Sequence, residues 1–173
     1  MNRLFATIAF LLFASPVFAQ TALKPALAPL SFLVGSWDNG EGKVADTGGT
    51  SKGGSVMTVE SDGAAILRRD HTETFDKIGK PAGSFHQTML IYPDGNTLHA
   101  DYVNGEGHVI HYTAATVTPG KSVTFTSAPG QGTVFRLAYE LQSPDVLAVN
   151  FAMIAPGQSE ARPIASGTLK RLR

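Results

Sequence analysis

Short runs rich in Val, Ile, Thr, Phe and Tyr, interrupted by clusters of Gly, Pro, Asn and Asp, dominate the chain from residue 36 onward. Such runs, bounded by turn residues, are typical of β-strands. Helix signals nearly vanish, except that the run LSFLV at 30–34 predicts a short helical turn. The pattern predicts about ten strands, at 36–44, 53–60, 63–74, 83–92, 97–103, 108–117, 121–127, 133–141, 145–154 and 162–171.

The connections between these strands are typical of consecutive hairpins. Asp94-Gly95 and Asn104-Gly105 are strong signals for tight turns, and TPGK at 118–121 and QSPD at 142–145 are two more. We therefore expect an all-β protein, an up-and-down antiparallel β-barrel. A two-sheet sandwich produces the same signals and stays the alternative. Closure is favoured because no segment carries the inward charges or prolines that protect a sheet edge.

The first residues differ from the rest of the chain. Arg3 precedes an apolar run over 4–14, Pro16 breaks it, and Val17-Phe18-Ala19 ends in small residues. This pattern predicts a signal peptide over 1–19, cleaved before Gln20, and hence an exported protein that is periplasmic or secreted. A transmembrane anchor is the alternative, but the apolar run is shorter than the roughly 20 residues that a span needs. An N-terminal tail over 20–29 then leads to a single barrel domain over 30–173.

Charge and composition exclude several classes of function. The 14 basic and 14 acidic residues form no basic stripe, so nucleic acid is not an expected partner. The sequence contains no basic amphipathic helix, which argues against binding to a membrane surface. The chain has no cysteine, which excludes a lipoprotein anchor, a thiolate nucleophile, cysteine-ligated zinc and an iron–sulfur cluster.

Catalytic and metal-binding signatures are weak. The chain contains no G-x-S-x-G, H-E-x-x-H or Walker-type motif, so we predict no catalytic residue and no cofactor. His99, Asp101 and His108 would share an exterior face of two adjacent strands, where two imidazoles and a carboxylate can bind zinc or copper. Such residues on strands are more often simply solvated, and no metal site is predicted.

The Asp94-Gly95 turn allows an inference about which residues face the barrel interior. If these two residues form the loop, Ile91 pairs with Leu98, Met89 with Ala100, and Gln87 with Tyr102. This face is largely apolar and, with Phe85, would line the interior. A two-residue turn at Asn104-Gly105 would then bring His111 inside, whereas a three-residue loop would reverse that assignment. A polar cluster in an apolar cavity is typical of ligand pockets, so the predicted ligand-binding residues are Phe85, Gln87, Met89, Tyr102 and His111.

Arg136 is the remaining candidate for ligand binding. It would share a face with Ala138, Val149 and Phe151, and an arginine on an apolar face needs a partner. It is either a rim residue whose guanidinium reaches water, or the anchor of a ligand carboxylate through a bidentate contact.

The stretch LSFLVGSWDNGEGK at 30–43 resembles the first strand of the calycin superfamily, which includes lipocalins and fatty-acid-binding proteins. The shared element is Gly35-x-Trp37, entered through a short helical turn. The stretch is most similar to nitrobindin-like and lipocalin-like families of exported bacterial proteins. The resemblance implies structural roles for Gly35 and Trp37, with the Trp closing one barrel end against a basic residue of the last strand. Arg171 matches that position, with Arg173 in reserve.

Nitrobindin-like barrels bind haem through a histidine near the C-terminus, and this chain has none after His111. The resemblance therefore implies the fold and a cavity for a small hydrophobic or amphipathic molecule, without haem. We expect an exported monomer or homodimer that binds such a ligand without transforming it. Two alternatives stay open. One is a barrel enzyme that uses His111 and Tyr102 as acid–base groups, and the other is a filled barrel that acts as a structural or interaction module.

Overall fold

The computed structural model describes residues 21–129 and 132–173, without the side chains of 39–41. The predicted signal peptide over 1–19 lies outside these residues. The described residues form two 3-10 helices, η1 (Ala28–Leu33) and η2 (Ser61–Gly63). The strands are β1 (Gly35–Val44), β2 (Gly49–Glu60), β3 (Ala65–Phe75), β4 (Pro81–Asp94), β5 (Thr97–Asn104), β6 (Val109–Thr118), β7 (Ser122–Ser127), β8 (Val134–Ser143), β9 (Val146–Ile154) and β10 (Arg162–Arg171).

These strands form a closed antiparallel barrel in which each strand pairs with its neighbours in sequence. The barrel closes where β1 pairs with β10, with Trp37 opposite Arg171 and Val44 opposite Ala165. The predicted fold class, an up-and-down barrel of about ten strands with a short N-terminal helical turn, is thereby confirmed, and the two-sheet sandwich is excluded. Closure pairs both edges of every strand, so no strand edge is left to be protected.

The helix η1 packs into one end of the barrel, which we call the closed end. Leu27, Leu30 and Leu33 are completely buried there, together with Trp37. The backbone N–H of Gly120, in the β6–β7 turn, donates a hydrogen bond of 2.9 Å to the carbonyl of Pro29. Burying three leucines in one short segment supplies several kcal/mol of hydrophobic stabilisation at about 1.5–3 kcal/mol per side chain. The hydrophobic core is therefore concentrated near the closed end.

The β4–β5 hairpin has a different register from the predicted one. Ile91 pairs with Ala100 and Met89 with Tyr102, because the turn residues are Gly95 and Asn96 rather than Asp94 and Gly95. Gly95 adopts a φ of +56°, a conformation that costs glycine little. The predicted pairing is wrong by two residues. Because side chains on a strand alternate with a period of two, this even shift leaves the inward and outward faces as expected.

The assignment of His111 to the interior is wrong. Val103 pairs with Val109, so the β5–β6 connection spans five residues and not two. This odd change in loop length exchanges the two faces of β6, so Tyr112 is buried and His111 is exposed. The loop is longer because Asn104 organises it, with its side-chain oxygen accepting hydrogen bonds from the backbone N–H groups of Glu106 and His108.

The assignment of Arg136 to the face of Val149 and Phe151 is also wrong. In the β8–β9 pair, Leu137 lies opposite Phe151 and Tyr139 opposite Val149, whereas Arg136 pairs with Ala152 and is exposed. Both faces of these strands are rich in apolar residues, so their sequence pattern does not distinguish inward from outward positions.

Among the residues that the structure describes, no helix has both the length and the apolar character needed to span a bilayer.

Candidate functional site

A cavity of about 380 Å³ occupies the half of the barrel that lies away from η1. Its lining reaches Val44 at the end of β1 and Thr74 near the end of β3. Arg68, Tyr112 and Tyr139 line it toward the closed end, where the packed core begins. This volume falls at the lower end of the range of about 300–1,000 Å³ that is usual for small-molecule sites.

The cavity exists because one side of the barrel carries very small side chains. This small-residue wall comes from β1, β2 and β10 and comprises Gly42, Ser51, Gly53, Ser55 and Gly167. A Cβ atom at Gly42 would lie only 2.1 Å from Oγ of Ser51, so a larger residue there would collide with the Ser51 side chain. The glycine-rich segments near the N-terminus thus leave space inside the barrel.

The opposite side of the cavity is apolar and partly aromatic. This apolar wall comprises Phe85, Tyr112, Leu137, Val149 and Phe151, contributed by β4, β6, β8 and β9. The Phe151 ring stacks on Phe135 with 5.7 Å between the ring centroids, which holds it in place. An apolar or aromatic ligand would contact this wall.

A buried arginine forms the polar floor of the cavity. Arg68 follows Ile66 by two positions on the inward face of β3 and is only 7% exposed. Its Nε donates to Oδ2 of Asp70 at 2.6 Å, and Nη2 donates to the same oxygen. Nη2 also donates to Oε1 of Gln87 at 2.8 Å, and Nη1 donates to the hydroxyl of Tyr139. Nη1 further approaches Sδ of Met89 at 3.9 Å. The charge of Arg68 is therefore paired and its donors are occupied.

Burial and neighbouring charges shift the pKa values of Arg68 and of three tyrosines that line the cavity. Burial lowers the pKa of Arg68, but the negative charge of Asp70 and the proximity of Tyr139 outweigh it, so the pKa lies well above its ordinary value. Burial raises the pKa of Tyr102, Tyr112 and Tyr139 above the ordinary value, and the charge of Arg68 only partly offsets this. The guanidinium stays charged and the three phenols stay neutral throughout the physiological pH range.

Two buried polar atoms at the floor lack a partner among the described residues. They are Oδ1 of Asp70 and Oγ of Ser55. Both side chains line the cavity, and the two residues lie directly opposite each other in the β2–β3 pair. A buried polar atom without a hydrogen bond costs about 1–3 kcal/mol, so these two atoms mark a place where a bound group would be stabilised.

Of the six predicted ligand-binding residues, the structure brings Phe85, Gln87 and Tyr102 together in the cavity lining. Met89 is completely buried just below the floor, where its sulfur approaches Arg68. His111 and Arg136 lie on the exterior of the barrel.

Sequence reasoning missed Arg68, Asp70 and Tyr139. A signal for the first two was present in ILRRDHT, because Ile66, Arg68 and Asp70 occupy alternate positions and must share one face of a strand. An arginine and an aspartate two positions apart, next to an inward isoleucine, indicate a buried ion pair. Tyr139 gave no comparable signal.

His111 instead belongs to an exterior cluster. Its Nδ1 lies 2.6 Å from Oδ1 of Asp101, and Oδ2 of Asp101 accepts a hydrogen bond of 3.0 Å from the hydroxyl of Tyr92. The hydrogen bond with His111 is the main reason that the pKa of Asp101 lies below its ordinary value. Within residues 21–129 and 132–173, no three His, Asp or Glu side chains are grouped as a metal site requires.

Arg171 stabilises the closed end of the barrel through contacts with Trp37 and with the backbone at the end of η1. Its guanidinium carbon lies 4.0 Å from the centroid of the Trp37 ring, and its Nη1 and Nη2 donate to the carbonyls of Val34 and Phe32 at 2.8 and 3.0 Å. The indole Nε1 of Trp37 donates to the carbonyl of Leu33 at 2.8 Å. Gly35 has a φ of +134°, and a Cβ atom there would lie 2.7 Å from Nη1 of Arg171.

No protein-family model and no curated protein matches this chain. The crystal structure of Rv2717c from M. tuberculosis is similar to it with 18% sequence identity and a TM-score of 0.59, and the match covers 87% of this chain and 99% of that one. A fluorescence-activating β-barrel designed de novo matches with 15% identity, a TM-score of 0.43, and coverage of 86% of this chain and 100% of that one. The chain thus has a closed ten-strand barrel fold similar to that of Rv2717c.

Proposed function

We propose that this protein binds a small, mostly apolar molecule inside the barrel without transforming it. The observation that carries the proposal is the cavity of about 380 Å³, with an apolar wall and a few convergent polar groups at its floor. Ligand sites are generally of this kind, with apolar surface for affinity and a small number of polar atoms for orientation. The match between Arg171, Trp37 and the closure that the calycin resemblance implies supports a calycin-like relationship.

The two alternative functions are less well supported. An enzyme that uses His111 and Tyr102 together is not retained, because Tyr102 lines the cavity whereas His111 lies outside the barrel with its side chain 78% exposed. A filled barrel that serves only as a structural module is disfavoured by the cavity itself.

The proposed ligand binding is tested by native mass spectrometry of the full chain after expression, followed by denaturation to identify any molecule released. Thr72→Phe is designed to fill the cavity, because Thr72 lines it opposite Gly53, which has no side chain. Glu73→Phe is the matched control, since it adds the same ring to the exposed face of the same strand. We expect a bound small molecule in the wild type and in the control, and none in Thr72→Phe. A clean apo mass, together with no micromolar binding from a panel of lipids, porphyrins and aromatic compounds, would overturn the proposal.

We further propose that the protein is exported by cleavage of residues 1–19, and that it acts as a monomer or homodimer in the periplasm or outside the cell. The support is the pattern of Arg3, the apolar run and the small residues before Gln20. The mass of the protein recovered from a periplasmic extract tests this, because cleavage gives a chain that begins at Gln20. A full-length mass, with all of the protein in the cytoplasmic fraction, would contradict it.

A further inference from the structure

We propose that Asp70 and Ser55 form a selective subsite that takes a hydroxyl or N–H group of the ligand and rejects carboxylates. The ligand class is then a small aromatic or apolar alcohol or amine. This inference rests on the proposed function, since it names the chemistry of the molecule that the cavity would bind.

The placement of the two residues supports a shared subsite. Ser55 and Asp70 are directly opposite each other on the inward faces of β2 and β3, so their Cβ atoms are about 4.5–5.5 Å apart. Ser55 is 3% exposed and the Asp70 side chain 10% exposed, and both line the cavity. A hydroxyl or ammonium group is small enough to contact both side chains at once.

The hydrogen-bond pattern shows which group is missing. Arg68 places Nε and Nη2 on the same oxygen of Asp70, Oδ2, and the other oxygen, Oδ1, is buried without a partner among the described residues. Oδ1 of a carboxylate only accepts, so the complementary ligand group must donate. Oγ of Ser55 can donate to or accept from the same group. A hydroxyl group therefore satisfies both atoms, and an amine satisfies Oδ1 with an added charge attraction.

The same pattern argues against a carboxylate ligand, although an arginine lies at the floor. A guanidinium has five N–H donors, and those of Arg68 are directed to Asp70, Gln87, Tyr139 and the sulfur of Met89. A ligand carboxylate would have to displace one of these partners and would approach Asp70, which carries the same charge. In a site of low dielectric, such a contact between like charges is strongly unfavourable.

The experiment compares four naphthalene probes that differ in one polar group: naphthylmethanol, its methyl ether, naphthylmethylamine and naphthoate. Binding to the full chain is measured by titration calorimetry at neutral pH. We expect the alcohol and the amine to bind about tenfold or more tighter than the ether, the loss expected for one buried hydrogen bond, and naphthoate to bind most weakly.

Two variants test the two residues of the subsite. Ser55→Ala removes one unpartnered hydroxyl, so it should leave thermal stability unchanged or raised while weakening the binding of the alcohol, whose oxygen accepts from Ser55. Ser51→Ala is the matched control, since Ser51 lines the cavity on the same face of the same strand but pairs with Thr74. Asp70→Asn retains an oxygen for Arg68 and places an amide N–H₂ at the position of Oδ1. It should abolish the preference for the alcohol over the ether, because the oxygen of either probe can accept a hydrogen bond from that amide.

The outcomes separate the subsite from the proposed function. If all four probes bind alike, or naphthoate binds best, the subsite is wrong and the cavity remains a ligand site. If Ser51→Ala weakens the binding of the alcohol as much as Ser55→Ala does, the subsite is also wrong. If no probe binds to the wild type, the proposed function fails and the subsite fails with it. If Asp70→Asn does not fold, the comparison of Ser55→Ala with Ser51→Ala still decides the question.

Discussion

The guanidinium of Arg171 lies 4.0 Å from the centroid of the Trp37 ring and joins the last strand of the barrel to the first. The same group donates hydrogen bonds to the carbonyls of Phe32, Val34 and Pro144. A single side chain thus covers the indole and satisfies carbonyl groups at the end of η1, where a helix leaves its last acceptors without intrahelical partners.

Replacing Arg171 by alanine should therefore destabilise the protein by about 2–3 kcal/mol, from the lost charged hydrogen bonds and the lost cation–π contact. Urea unfolding followed by the emission of the single tryptophan measures this change. Arg173→Ala is the control, because the Arg173 side chain is 86% exposed and its one ion pair among the described residues is with Asp145. Its loss should cost less than about 1 kcal/mol, as is usual for surface ion pairs. Equal losses in the two variants would contradict this role for Arg171.

Gly35→Ala should also loosen the closed end. The new Cβ would meet Nη1 of Arg171 at 2.7 Å, and the φ of +134° is unfavourable for any residue with a side chain. We expect a loss of about 1–3 kcal/mol and a shift in Trp37 emission, because the guanidinium must move off the indole. Gly48→Ala provides the comparison, since Gly48 has a φ of +66° and no atom of the described part of the chain lies within 4 Å of a new Cβ. That variant should cost only the backbone strain of about 1 kcal/mol and leave the emission unchanged.

The buried ion pair at the cavity floor should respond in a non-additive way. Arg68→Met leaves the carboxylate of Asp70 buried without its partner, and we expect a loss of about 3–5 kcal/mol in the free energy of unfolding. The double variant Arg68→Met/Asp70→Leu removes both charges and should recover most of this loss. Arg69→Met, on the exposed face of the same strand, should have little effect. A double variant no more stable than Arg68→Met would show that the floor is not held by this pair.

Stability should fall in alkaline solution because of the buried tyrosines. Burial raises the pKa of Tyr102, Tyr112 and Tyr139 above the ordinary value of 10.0, which is also the value expected in the unfolded chain. The folded state therefore binds these phenolic protons more tightly than the unfolded state does. Their contribution to the free energy of unfolding is complete below about pH 10 and is lost as the pH rises above that value. Denaturation at a series of pH values from about 8 to 11, with phenolate absorbance followed in parallel, measures the effect. Tyr139→Phe should flatten the decline, and an unchanged slope in that variant would contradict the assignment.

The strand pattern is sufficient to predict the barrel, because each of the ten strands is bounded by turn residues and most of them alternate apolar with polar residues. The interior was harder to predict, and the reason is loop length. In the β4–β5 hairpin an error of two residues left Gln87 and Met89 on the correct face, whereas in the β5–β6 hairpin an odd error moved His111 outside. The length of that loop is set by Asn104, whose side-chain oxygen accepts hydrogen bonds from the backbone of Glu106 and His108. Rules that predict a turn from two adjacent residues do not take such hydrogen bonds into account.

Arg136 and Arg68 illustrate the other source of error. Arginine is normally exposed, so the apolar neighbours of Arg136 in the sequence led to the prediction of an inward, ligand-binding arginine there. Arg136 is in fact on the outside of the barrel. Arg68 is the arginine that lies inside, and it was not predicted to do so. Its burial is explained by Asp70, Gln87 and Tyr139, which come from three different strands. Alternation along β3 places Arg68 and Asp70 on one face, but the contacts with Gln87 and Tyr139 come from β4 and β8 and cannot be inferred from one strand.

The pairing of β1 with β10 also determines how the chain must fold. Arg171 contacts a carbonyl 137 positions earlier in the sequence, so closure is a contact of very long range and waits until nearly the whole chain has been synthesised. Until then the outer edges of β1 and β9 are free to pair with other chains. A stop codon before residue 162 would therefore do more than shorten the protein. It would turn a barrel without edges into an open sheet with two, and the expected result is aggregation rather than a smaller folded domain.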